Sequence, residues 1–163
     1  MTDVLTVNDI GQEVLVAFLE RYRLGLVVQP TGAKIRGSFW GDSEAGVVGR
    51  TVFVRGDTPL HSFLHETCHI VCMDGQRRDR LDRDAGGDDL EESAVCYLQV
   101  LLARQIEGAG CARVMSDMDS WGYSFRLGKT RDWFDNDAED AQEFLLIHGL
   151  VDSAGEPTFA LRG

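Results

Sequence analysis

The residues best suited to chemistry are two histidines four positions apart, His65 and His69, with Glu66 next to the first. Residues i and i+4 of a helix lie on one face, about 5–6 Å apart at Cβ. Two imidazoles so placed can bind one metal ion at Zn–N distances of about 2.0–2.1 Å. Glu66 points about 100° around the helix from His65, so its carboxylate can flank the ion without binding it. From there it can take a proton from a water molecule that the ion activates, and the spacing predicts a hydrolytic zinc site.

The element that must position this motif is a helix predicted over residues 60–73. Thr58 suits the N-cap, Pro59 suits the first helical position, and Asp74-Gly75 is a stop signal. Apolar residues flank the motif on both sides, which predicts that this helix is buried.

A catalytic zinc site needs a third protein ligand and an open fourth position. His61 continues the stripe of His65 and His69, but it lies about 12 Å from His69 along the helix axis, at 1.5 Å per residue. That is too far for both to reach one ion, so His61 is excluded as a ligand. We expect its side chain to be solvated, with a substrate contact as the alternative.

The third ligand is expected from a second long helix, predicted from residue 90 to about residue 107. Glu91 and Glu92 lie in its first turn, where the helix dipole also favours water-facing carboxylates. Glu91 shares the apolar face of this helix with Leu98 and should point toward the element on which the helix packs. Glu92 lies on a more mixed face. We therefore favour Glu91 as the ligand and keep Glu92 as the alternative.

The rest of the chain predicts a mixed α and β organisation. Hydrophobic periodicity indicates an N-terminal amphipathic helix, three short strands, a solvated loop before the second long helix, and a last helix. No clear period is found over residues 111–130, and the tail is expected to be loosely attached. These predicted segments are the helix 10–24, the strands 26–28, 33–40 and 47–55, the loop 74–89, the helix 138–148 and the tail 151–163.

Length, composition and charge limit the class of protein. The 163 residues, of which 44% are hydrophobic and 26% charged, suit one globular domain. The net charge of −11 argues against nucleic acid or an anionic membrane as the main partner. The N-terminus has no signal-peptide pattern, and no apolar run approaches the roughly 18 residues that span a bilayer. The four cysteines form no CxxC pair, which favours reduced thiols and a cytoplasmic protein.

The two motifs together resemble a known family. His65-Glu66-Thr67-Cys68-His69, followed after 21 residues by Glu91-x-x-Ala94, resembles the gluzincin metallopeptidases, above all the minigluzincins and the ImmA/IrrE-like peptidases. In that clan a downstream E-x-x-A stretch supplies the third zinc ligand, and Glu91 fits that register. The resemblance covers about residues 47–103. It departs from the family pattern at Val95, where those peptidases carry Asn.

The resemblance implies an α+β, zincin-like fold in which a small mixed sheet packs on the motif helix and on a second, glutamate-bearing helix. It implies a zinc-dependent hydrolase that cleaves peptide bonds in a protein or peptide substrate, with Zn²⁺ held by His65, His69 and Glu91. Glu66 would act as general base and then as proton donor to the leaving amine. An extended substrate would pair with the edge of strand 47–55. Candidates for oxyanion stabilisation are Tyr123, Arg126 and His148.

Residues 1–163 are thus expected to form one zincin-like domain, with a core over about 6–107 and a C-terminal helical extension over about 111–150. A catalytically silent regulatory or antitoxin-like protein that keeps the zincin scaffold is the alternative from another class. An intact Glu66 favours the enzyme, because a purely structural zinc site does not require this carboxylate. An accidental motif in a structural protein is the third possibility.

Overall fold

A computed structural model describes residues 3–38 and 43–163. Within these ranges the chain forms three strands and eight helices, and it is of mixed α+β class. The strands are β1 (Gly25–Gln29), β2 (Gly46–Val48) and β3 (Thr51–Arg55). The helices are α1 (Val7–Ile10), α2 (Gln12–Glu20), α3 (Leu60–Cys72), α4 (Gly75–Asp79), α5 (Asp89–Ala103), α6 (Cys111–Trp121), α7 (Thr130–Asn136) and α8 (Glu139–Ile147). Within the same ranges, no helix has the length and apolar character needed to cross a membrane.

The sheet places the motif helix in the middle of the molecule. Its strand order is β1-β3-β2, with β1 parallel and β2 antiparallel to the central strand β3. The chain passes from β3 directly into α3, which packs against β2 and β3 and, more extensively, against α5. The apolar flanks of the motif are fully buried, as predicted, since Phe63, Leu64, Ile70 and Val71 are each 0% exposed. The motif helix is therefore fixed on several sides.

The two long helices begin within one residue of where the sequence predicts, and the second ends at Ala103 rather than at about residue 107. Helix α3 covers Leu60–Cys72, but its N-cap is Pro59 rather than Thr58, whose hydroxyl instead accepts a hydrogen bond from the Arg55 amide. Asp88 caps α5 by accepting from the Glu91 amide at 2.9 Å. The caps fix where both helices begin, and thereby which side chains face each other.

The predicted strands are corrected in two places. Residues 33–38 form turns and irregular chain, because Gly37 has a φ of 72° and lies against the Val47 backbone; Phe39 and Trp40 lie outside the described residues. The predicted strand 47–55 is in fact two antiparallel strands. They are joined by a two-residue turn in which Gly49 has a φ of 58°. An alternating pattern continues through such a tight turn and hides it.

The C-terminal third is more ordered than the sequence suggests. Helix α6 lies in the region without a clear period, because its buried face contains a charged residue, Asp117, which accepts from the Leu5 amide at 2.9 Å. Helix α7 was also missed, and the predicted final helix is shortened to α8, which has no side-chain cap. Helices α6 and α8 both pack on α5.

The predicted loop and tail are both corrected. The loop contains α4, in which Arg78 is 2% exposed and donates to the carbonyls of Ile70 and Met73 at the end of α3. The tail is attached rather than loose. The Phe159 ring packs 4.8 Å from the Tyr22 ring, and the Arg162 amide donates to the Val71 carbonyl at 3.0 Å.

Candidate metal centre

Helix α3 brings the two motif imidazoles together. The Nε2 atoms of His65 and His69 lie 3.2 Å apart, with the rings at 84° to each other. His69 is 4% exposed, and His65 is partly open to solvent. Glu66 lies beside them, and one ligand atom from each of the three residues falls within 4.8 Å of the other two. This arrangement follows from the helical spacing alone, as predicted.

Gln99 on α5 determines which nitrogen of His65 carries the proton. Its amide nitrogen donates to the His61 carbonyl at 2.8 Å, and a carbonyl can only accept. The Gln99 oxygen must therefore face His65, whose Nδ1–H donates to it at 3.0 Å. The lone pair of the neutral His65 ring is then on Nε2, the nitrogen that faces His69. A hydrogen bond on the far nitrogen that fixes the tautomer is typical of metal-binding histidines.

Glu92, rather than Glu91, is the carboxylate that faces the two imidazoles. Its Oε2 lies 3.4 Å from His69 Nε2 and 3.9 Å from His65 Nε2. Burial raises the pKa of Glu92, but the hydrogen bond and charge of His69 outweigh burial and leave the pKa below its usual value. Glu92 thus remains a carboxylate in the place where a third ligand is needed.

Glu91, the third ligand that the sequence favours, faces a different group of residues. It points inward as predicted and is 4% exposed. However, Arg77 of α4 donates to both of its carboxylate oxygens, at 2.7 and 3.0 Å, and Arg162 lies 3.7 Å away. A Cβ at position 87 would lie 2.5 Å from the Glu91 carboxylate, so the glycine at that position makes room for the carboxylate. Glu91 is therefore a buried carboxylate whose hydrogen bonds go to a partly exposed arginine rather than to the imidazoles.

The donor set fits a tetrahedral ion. Zinc with ligands at about 2.0–2.2 Å holds its ligand atoms about 3.3–3.6 Å apart. The three distances among His65 Nε2, His69 Nε2 and Glu92 Oε2 are 3.2, 3.4 and 3.9 Å. Two imidazoles and one carboxylate are also the ligand types of catalytic zinc sites. His65, His69 and Glu92 can therefore hold one ion with little rearrangement.

No protein-family model, curated protein or solved structure was found to match this chain.

Electrostatics differ between the catalytic candidate and the histidine beside it. Burial raises the pKa of Glu66 to about 7, with the charge of His69 acting against burial and those of Glu44 and Glu92 adding to it. A carboxyl with such a pKa is present in both its protonated and its ionised form near neutral pH. A general base that later returns its proton needs both forms. Burial and the charge of His69 lower the pKa of His65 to about 4, so His65 is neutral near pH 7.

Two cavities meet at His65 and Glu66. One, of about 550 Å³, also contacts Glu44, Trp121 and Tyr123. The other, of about 260 Å³, lies toward His69, Glu92 and the loop residues 83–86. A ligand that occupied both would contact His65 and Glu66. The site is thus accessible from two sides rather than closed around an ion.

The three oxyanion candidates lie in different places. Tyr123 lines the larger cavity, and its hydroxyl lies 3.4 Å from Gln99 Nε2. Arg126 pairs with Asp137 with its side chain 78% exposed, and the His148 ring packs 4.4 Å from the Phe144 ring. Of the three, Tyr123 is at the site.

His61 is not the solvated side chain that was expected. It is 1% exposed, with its Nδ1 3.2 Å from the Tyr123 hydroxyl. Burial, with a smaller effect of the His65 charge, lowers the pKa of His61 to about 3. It is buried and neutral behind Tyr123, so it supports the cavity wall.

The predicted substrate-pairing edge is also corrected. Strand β3 is central and has partners on both sides. The outer edge of β2 is already bonded, because the Val47 amide donates to Gly37 and its carbonyl accepts from Arg83. A substrate therefore cannot add to this edge without displacing those two segments.

Gln99 and Glu44 are the site residues that the sequence reasoning missed. Gln99 lies two turns after Glu92, on the face of α5 that looks mixed in the sequence, and the structure buries it completely, at 0% exposed. A polar group at such a position must have a hydrogen-bond partner. Glu44 lies in a loop, where no periodicity indicates what it faces.

Proposed function

We propose that this protein is a zinc-dependent metallopeptidase with a zincin-like fold, in which His65, His69 and Glu92 hold the ion. The observation that carries the proposal is the convergence of the two Nε2 atoms and the Glu92 carboxylate at near-tetrahedral spacing. A Glu66 oxygen lies within 4.8 Å of a nitrogen of each histidine, and we assign Glu66 to proton transfer rather than to the ligand set. The resemblance to gluzincin peptidases supports the same reaction class. The chain's free cysteines suit a cytoplasmic protein.

Each residue of the site has a distinct task. When bound, zinc supplies the Lewis acidity that makes water nucleophilic near neutral pH. Glu66 would act as the general base, taking a proton from water and later delivering it to the leaving amine. Gln99 keeps the His65 lone pair on Nε2. The paired cavities leave room for a peptide on both sides of Glu66.

A catalytically silent zincin-like binding protein is the second candidate. The observation that favours it is the bonded outer edge of β2, because an extended peptide cannot pair with a strand that already has partners. On this alternative the zinc would be structural and Glu66 would have no catalytic task.

Turnover by the Glu66→Gln variant separates the two candidates. The zinc-loaded wild-type protein and the variant are compared on a mixed peptide library, with zinc content measured in both. We expect the wild type to cleave and the variant to lose about 10²–10⁴-fold in rate, the usual contribution of a general base, while zinc is retained. Glu143→Gln, at an exposed position on α8, is the matched control. Zinc binding without cleavage by the wild type would favour the silent protein, and equal cleavage by both would refute the role of Glu66.

A further inference from the structure

The larger cavity beside the metal centre has a wall that the proposed chemistry does not use. Glu66 and His65 line this 550 Å³ space, and so do Glu44, Trp121 and Tyr123. If the scissile bond of a peptide lies beside Glu66, a residue next to that bond lies in or near this cavity. The lining of the cavity therefore bears on which residue that is.

Glu44 is held rigidly in this wall. The Ser62 hydroxyl donates to its Oε2, and the Trp121 indole Nε1–H donates to its Oε1 at 2.8 Å. Ser62 is itself fixed, since it accepts from the Ala45 amide at 2.9 Å and is 3% exposed. A carboxylate can accept about four hydrogen bonds, so two protein donors leave capacity for a ligand. Glu44 is thus a pre-oriented anion that faces a cavity.

Aromatic rings complete the wall. Trp121 is 44% exposed, and its ring packs against the buried His61 ring with the two centroids 5.1 Å apart. Tyr123 lines the same cavity. Tryptophan and tyrosine faces attract ammonium and guanidinium groups, and tryptophan does so most strongly. A fixed carboxylate beside such rings is a complementary environment for an organic cation.

The charges around the cavity point the same way. Among its lining residues in the described part of the chain there is no lysine or arginine, and the acidic groups are Glu44 and Glu66. The whole chain carries a net charge of −11, which attracts basic peptides and repels acidic ones. An anionic or neutral residue would leave the Glu44 carboxylate without a cationic partner.

We propose that this cavity binds the cationic group of a peptide substrate next to the scissile bond, with Glu44 as the specificity-determining carboxylate and Trp121 as the cation–π partner. The inference names the substrate class of the proposed peptidase and rests on that function. The cation is either the guanidinium or ammonium of an arginine or lysine side chain, or the α-ammonium of a peptide N-terminus. Both offer hydrogen-bond donors and a positive charge to Glu44.

Binding can be tested without turnover, because the Trp121 indole proton reports directly on Glu44. The indole ¹H–¹⁵N resonance of the zinc-loaded full chain is followed during titration with N-acetylargininamide and with its neutral isostere N-acetylcitrullinamide. Alaninamide and N-acetylalaninamide form the matching pair for the α-ammonium. Assignment comes from the signal lost in Trp121→Phe.

We expect a saturable shift with at least one cationic ligand and none with its neutral partner, and the responsive ligand identifies the source of the cation. Glu44→Gln should weaken that binding by about tenfold or more, because a charge-assisted hydrogen bond is lost. Glu143→Gln should leave it unchanged. No cationic shift, or an equal response to the neutral isosteres, would overturn the proposal, and this readout does not depend on how Glu44→Gln folds.

A peptide library makes failure of this inference distinguishable from failure of the proposed function. Cleavage beside arginine, lysine or a free N-terminus, with that preference lost in Glu44→Gln, would support the inference. Cleavage without any cationic preference would overturn it and leave the peptidase intact. If the protein binds the cationic ligand but cleaves no peptide, cation binding in the cavity is supported and the proposed peptidase activity is refuted.

Discussion

Two neighbouring glutamates on α5 face opposite ionic environments. Glu91 lies between Arg77 and Arg162, which are permanent cations, and its side chain is 5% exposed. Glu92, one position later and 39% exposed, faces the imidazoles of His65 and His69. The residues have the same chemistry and differ by about 100° around one helix.

The difference is between a carboxylate whose partners keep their charge and one whose partners can lose it. A guanidinium cannot give up its proton, so the Glu91 pair is fixed. His69 is different, because burial lowers its pKa but the Glu92 hydrogen bond and the charges of Glu66 and Glu92 raise it more. In the absence of metal, a proton on His69 can balance Glu92, and a metal ion can replace that proton. A proposed metal site needs a proton that the ion can replace, and the arginine partners of Glu91 do not offer one.

Glu92→Gln should give the largest effect on this comparison. The substitution removes the charge of one of three protein ligands, so we expect zinc affinity to fall by about 100-fold or more. Competition with a chromophoric chelator measures the dissociation constant. Unchanged affinity would remove Glu92 from the ligand set.

Glu91→Gln is the matched variant one residue away, with the opposite expected result. The substitution removes the negative charge that faces Arg77 and Arg162, while one hydrogen bond can remain. The free energy of unfolding should therefore fall by about 2 kcal/mol. Urea denaturation of the metal-free protein measures this loss. Zinc affinity should stay within about threefold, and a fall as large as that of Glu92→Gln would restore Glu91 as a ligand.

Gln99→Leu should give the smallest change of the three variants, and it tests the orientation of His65 rather than a carboxylate. Loss of the bond that holds the His65 tautomer should weaken zinc binding by about tenfold, as for other groups that orient a ligand. Gln142→Leu, on the exposed side of α8, is the control in the same chelator competition. If both variants bind zinc like the wild type, His65 needs no orienting partner.

The sequence predicts the half of the site that lies on one helix. The distance between His65 and His69 follows from helical spacing, whereas the third ligand depends on how α5 is rotated against α3. The inward direction of Glu91 is confirmed by its burial. The buried Glu91 carboxylate pairs with Arg77 of α4, a helix in a segment that was expected to be a loop. The sequence pattern does not predict the position of that arginine.

Fold prediction failed where a local pattern had two explanations. Alternation through Gly49 is the same for one long strand and for a hairpin, and only the pairing of Val48 with Thr51 distinguishes them. Asp117 made α6 look aperiodic, because its partner, the Leu5 amide, lies 112 residues away in sequence. Long-range partners of this kind leave no local trace.

The X-ray absorption spectrum of the protein loaded with one equivalent of zinc tests the central claim most directly. His65, His69 and Glu92 predict two imidazoles at about 2.0–2.1 Å, oxygen ligands at about 2.0–2.2 Å and no sulfur. A sulfur shell at about 2.3 Å, fewer than two imidazoles, or failure to take up one zinc per chain would contradict the proposed centre.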